Sequence, residues 1–131
     1  MRELEQAEPT GRIIGCAIAV HRELGPGFLE SVYEAALAVE FGRRGLSFER
    51  QKLAYISYPG VAVDEHRLDY FIDDLIVAER KATAGLEDIH FAVARFSLKA
   101  VGREHGLFLN FATLPLTVKR VIRDSRQTPS S

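Results

Sequence analysis

The chain has 131 residues, 47% hydrophobic and 27% charged, the composition of one ordinary globular domain with enough apolar residues for a core without staples. A formal net charge of −1 excludes a nucleic-acid footprint spread over the whole surface, so any such contact needs a local patch. The one cysteine, Cys16, excludes an internal disulfide and a cysteine-based zinc site, and it fits a reducing cytoplasm.

Residues 1–9 are polar and acidic, unlike a secretory signal, and residues 124–131 have a disorder-like composition. Both ends are therefore expected to be flexible around a single domain at 10–123. Thr10 is the predicted N-cap of a first helix running to about Leu24, with Ile13, Ile14, Ala17, Val20 and Leu24 on one face. Gly25-Pro26-Gly27 ends that helix, and a second is predicted from Leu29 to Arg44, closed by Gly45. Residues 48–58 read as a strand that turns at Pro59-Gly60. Residues 67–72 and 75–81 read as two more strands around Asp73-Asp74. Asp88 is the predicted cap of a third helix, Ile89 to Gly102, followed by strands at 106–111 and 116–122. This order predicts an α/β or α+β fold with a mixed sheet flanked by helices. No apolar run approaches the ~20 residues that span a bilayer.

The chemistry concentrates in a few charged residues. Glu79 and Lys81 alternate along one strand and share a face, while Arg80 points to the other. Asp69 joins Glu79 only if the intervening loop is odd in length. A three-residue loop at Ile72 to Asp74 sets Asp69 across from Val77 and diagonal to Glu79, whereas a two-residue loop at Asp73-Asp74 separates the two acids. Upstream, Glu30 falls between Leu37 and Phe41 on the helical wheel, an apolar sector where an acid is costly unless paired or bound to a metal. Glu34 is assigned to solvent.

If Glu30, Asp69 and Glu79 converge, one lysine cannot neutralise them. Two like charges 4 Å apart repel by about 1 kcal/mol in water and about 4 kcal/mol at an effective dielectric of 20. A divalent cation held by oxygens, Mg²⁺ or Mn²⁺ rather than zinc, would resolve the repulsion. With Lys81 holding a phosphate or the attacking water, the group suits phosphodiester cleavage. The plain alternative is a solvated strand end with a chance acid-x-lysine.

Gly25-Pro26-Gly27-Phe28-Leu29-Glu30-Ser31-Val32-Tyr33-Glu34 resembles the signature of the GxxExxY protein family, assigned to the PD-(D/E)XK nuclease-like superfamily. The resemblance continues through Val20 to Leu24, Glu49-Arg50-Gln51, Arg67-Leu68-Asp69, Glu79-Arg80-Lys81, His90 and Leu109-Asn110-Phe111, from about Ile13 to Ile122. It implies a restriction-endonuclease-like sheet, with Asp69 and Glu79 as metal ligands, Lys81 as the catalytic lysine and Glu30 as an accessory helix acid. Many relatives carry glutamine where this chain has Val93, which sets full activity against a non-catalytic module that binds nucleic acid or a protein.

Tyr33, Gln51 and His90 are candidates for contacts around the site, each with a bland reading beside it: a core aromatic, a plain strand glutamine and a packed histidine. His21 reads as a packing residue, and Lys119, Arg120, Arg123 and Arg126 as a solvated basic end that could touch phosphates. The partner expected is DNA or RNA. Oligomeric state stays open, although a chain this small often needs a homodimer to grip a duplex.

Overall fold

The structure is a computed structural model that describes residues 7–123. Among them are three helices, α1 (Ala7–Leu24), α2 (Glu30–Arg43) and α3 (Asp88–Val101). The strands are β1 (Phe48–Tyr58), β2 (Val61–Ile72), β3 (Ile76–Lys81), β4 (His105–Asn110) and β5 (Thr117–Ile122). They form one mixed sheet in chain order, antiparallel except for the β3–β4 pair. That pair is parallel because α3 lies between its strands in sequence and carries the chain back across the sheet.

The α1 expectation needs one correction. Thr10 is not the cap; the helix already includes Ala7–Pro9, and Thr10 is buried inside it. Pro9 is tolerated because the first turn has no N–H bond to lose. The remainder of the expected flexible ends, residues 1–6 and 124–131, lies outside the described residues. Gly25, at φ +69°, ends α1 by donating its N–H to the His21 carbonyl. Gly45, at φ +73°, ends α2: Leu46 N–H reaches the Phe41 carbonyl at 2.9 Å and Gly45 N–H that of Gly42 at 3.2 Å, with Leu46 buried behind them. The cap of α3 is Glu87 rather than Asp88.

The sheet is apolar on both faces. Tyr70, Ile72, Ile76, Ala78, Leu107 and Leu109 pack under α1 and α2 with Ile13, Ala17, Tyr33, Leu37 and Phe41. Ala54, Leu68, Phe71, Val77, Phe108 and Val121 pack under Ala94 and Leu98 of α3. Alternation along β3 and β4 sorts residues cleanly between these layers, but β1 and β2 break it. Leu68 and Tyr70 lie two residues apart and should share a face, yet Leu68 lies on the α3 side and Tyr70 on the α2 side. On β1, Arg50 meets Glu34 of α2, while Lys52 lies over the Phe71 ring on the α3 side. Between them Gln51 has φ +57°, and that left-handed residue reverses the strand's faces. In the β1–β2 register Gln51 falls opposite Asp69, so both strands change faces at the same level.

Candidate active site

The β2–β3 loop has an odd length, but not the expected register. Ile72 pairs with Ile76, so the loop is Asp73-Asp74-Leu75, with both aspartates at positive φ. This brings Asp69 level with Glu79 itself rather than with Val77. The ladder stops at Tyr70–Ala78, and side chains take over from there. The Asp69 N–H donates to Glu79 Oε2 at 3.4 Å, and the Arg80 N–H donates to Asp69 Oδ2 at 2.9 Å. The two strands thus part around a pair of buried carboxylates, Asp69 at 5% and Glu79 at 6% exposure.

Burial pushes the Asp69 carboxyl up from 3.8 to about 7, and the Glu79 charge adds to the rise; the Arg80 guanidinium opposes both. Glu79 Oε1 also meets Nε2 of His66 at 3.0 Å. That hydrogen bond raises the His66 pKa above the ordinary histidine value, against the effect of burial. His66 was missed in the sequence because β2 was expected to begin only at Arg67; it begins at Val61.

Glu79, Lys81 and His66 line a cavity of about 250 Å³ together with Ile89, His90, Val93, Ala94 and Phe108. Among the described residues the Lys81 ammonium has no hydrogen-bond or ion-pair partner. His90 Nδ1 accepts the Glu87 N–H at 2.9 Å, so the neutral ring carries its proton on Nε2. His90 therefore both caps α3 and forms part of the cavity wall. Val93 lines it one turn later.

Glu30 and Glu34 lie on the other side of the split. Glu30 accepts the Ala82 N–H at 2.9 Å and lies 3.6 Å from Arg80 Nη1, the nitrogen that donates to Asp69 Oδ2 at 2.8 Å. An arginine thus stands between Glu30 and Asp69. The three expected carboxylates do not meet at one point, and among the described residues no three His, Cys, Asp or Glu side chains are grouped to hold a metal ion. Glu34 is not in solvent. It is 8% exposed and takes Arg50 Nη2 at 2.8 Å, Gln51 Nε2 at 3.0 Å and Arg80 Nη2 at 3.1 Å, while its backbone carbonyl accepts the Tyr70 hydroxyl. The signal was in the sequence: at 100° per residue Glu34 falls about 20° from Phe41, on the buried stripe of α2.

Gln51 therefore reaches the site through Glu34. Tyr33 does not face the acids: its ring stacks on Phe111 at 4.5 Å, and its hydroxyl donates to the Gly25 carbonyl at 2.6 Å and accepts the Phe28 N–H at 3.2 Å. It braces the loop that delivers Glu30. His21 packs near Phe111 and meets the Thr113 carbonyl.

Two adjacent buried carboxylates, with the Lys81 ammonium and the His66 ring beside Glu79, fit a hard divalent cation because their donors are oxygens. No curated protein and no solved structure matches the sequence. Among the described residues no helix is long and apolar enough to cross a membrane. The sequence pattern of the PD-(D/E)XK nuclease superfamily matches residues 7–122, nearly the whole chain. With a mixed sheet flanked by helices, and an acid followed by acid-x-lysine where two strands part, the chain belongs to the PD-(D/E)XK nuclease superfamily.

Proposed function

We propose that this chain is a divalent-metal-dependent hydrolase of phosphodiester bonds in DNA or RNA, of the GxxExxY type within its superfamily. The observation that supports this is the pairing of Asp69 with Glu79 at the parted strands, with Lys81, unpaired among the described residues, beside Glu79 in the cavity. Asp69 and Glu79 would hold Mg²⁺ or Mn²⁺ through carboxylate oxygens. The bound ion supplies charge neutralisation at phosphorus and a more acidic water. Lys81 holds a phosphate oxygen or the attacking water as a compact point charge. His90 offers Nε2–H as a second donor to the same phosphate, and His66 fixes one oxygen of Glu79. A cytoplasmic setting fits the single buried Cys16, and a homodimer fits the need of a small domain to span a duplex.

The test is cleavage of single- and double-stranded DNA and RNA with Mg²⁺ or Mn²⁺. Asp69→Ala and Lys81→Ala should each lower the rate at least about 100-fold, the scale of losing one preorganised electrostatic contact. Activity that survives both substitutions removes the assignment. Val93 favours a second reading, a nuclease-like module that binds without cutting, because it gives the cavity an apolar wall one turn from His90. Metal-independent binding with no turnover would select that reading.

A further inference from the structure

Arg80 occupies the x position between Glu79 and Lys81, yet it is the most heavily engaged side chain near the acids. Its Nη1 donates to Asp69 Oδ2 at 2.8 Å and lies 3.6 Å from Glu30 Oε1; its Nη2 lies 3.1 Å from Glu34 Oε1. Its backbone N–H adds a second donor to the same Asp69 oxygen at 2.9 Å. Asp69 Oδ2 thus takes both of its donors from Arg80, while the Asp69 carboxyl also meets the Glu79 side chain. The charges are also close to balance. Four carboxylates, Glu30, Glu34, Asp69 and Glu79, face Arg50, Arg80, Lys81 and the His66 ring on Glu79, so two dications would leave a large positive excess.

We propose that the Arg80 guanidinium takes the place of a second divalent cation: it fastens one oxygen of Asp69, neutralises Glu30 and Glu34, and so limits the site to a single ion. An ion bridging Asp69 and Glu30 would need the space that Nη1 fills. Driving the guanidinium out would strand a cation whose Nε is already buried without a partner. Arg80 is thus a positioning residue, and Glu30 serves the arginine instead of the metal. This inference rests on the metal-dependent reading above.

The test is a count of bound Mn²⁺ on the full, chelator-stripped chain by titration calorimetry, with free Mn²⁺ followed by electron paramagnetic resonance. The wild type should bind one ion per chain. A folded Arg80→Met variant should bind two, and adding Glu30→Gln should return the count to one. Arg80→Lys, which keeps the charge, should stay at one. Two ions on the wild type, or one on folded Arg80→Met, overturns the proposal. Should Arg80→Met fail to fold, Glu30→Gln in the wild type decides. A Kd within about threefold supports it, and a loss of about tenfold or more, the scale for disturbing a ligand, overturns it. Absence of any Mn²⁺ binding by the wild type instead overturns the hydrolase reading, and this inference with it.

Discussion

Asp69 is buried beside a second carboxylate, and its titration follows from that placement. Its pKa rises from 3.8 to about 7, first through burial and then through Glu79, so the folded state holds its proton more tightly than the unfolded chain. The stability this group contributes is complete below about pH 4 and is lost as pH climbs to about 7, an effect on the order of a few kcal/mol. His66 acts in the same direction, because its pKa is raised by the hydrogen bond to Glu79. Its contribution is present below the ordinary histidine value and disappears as pH passes the raised one. Thermal melts of metal-free protein should therefore show a melting temperature that falls from pH 4 to pH 8. Asp69→Asn should flatten the acidic part of that slope, and His66→Gln the neutral part. A slope unchanged in Asp69→Asn would show that burial and Glu79 do not raise the Asp69 carboxyl.

At the scale of elements, the decisive feature is the reversal of β1 at Gln51. A non-glycine residue at φ +57° costs roughly 1 kcal/mol, which the amide's hydrogen bond to Glu34 offsets in part. Gln51→Ala loses the bond and keeps the strain; Gln51→Gly loses the bond and relieves the strain. Gln51→Gly should therefore be the milder change, by about 1 kcal/mol in urea denaturation. Equal losses would mean the backbone is relaxed there. This reversal also marks where the sequence stopped being readable. Pro59-Gly60, Gly45 and Gly102 announced their turns because positive φ there falls on glycine. Gln51 has no such signature, so nothing in the sequence marks the point where alternation fails. The acid-x-lysine strand and its face were legible from period two alone. That Asp69 stands level with Glu79 was not, because the register depends on left-handed Asp73 and Asp74 closing a three-residue loop. Glu34 was legible but misassigned, since a carboxylate on a helical stripe reads as solvent until its three partners, distant in sequence, are in place.

For the molecule as a whole, one sheet serves two cores, and the acid pair sits where β2 moves from one to the other. Inward of that level, Tyr70, Phe71 and Ile72 are each buried. Outward, β1 and β2 continue as a two-stranded ribbon whose Tyr55, Tyr58, Val61 and Val63 are all more than half exposed. Such a ribbon keeps its cross-strand bonds but has little packed against it, and two strands alone are marginal in water. Amide hydrogens of Val61–Asp64 should consequently trade for deuterium through brief local fraying, while those of Tyr70–Ile72 should wait for the domain to unfold. Asp69 lies on the border between those two clocks, so it belongs to the rigid body on one side and borders a loose arm on the other.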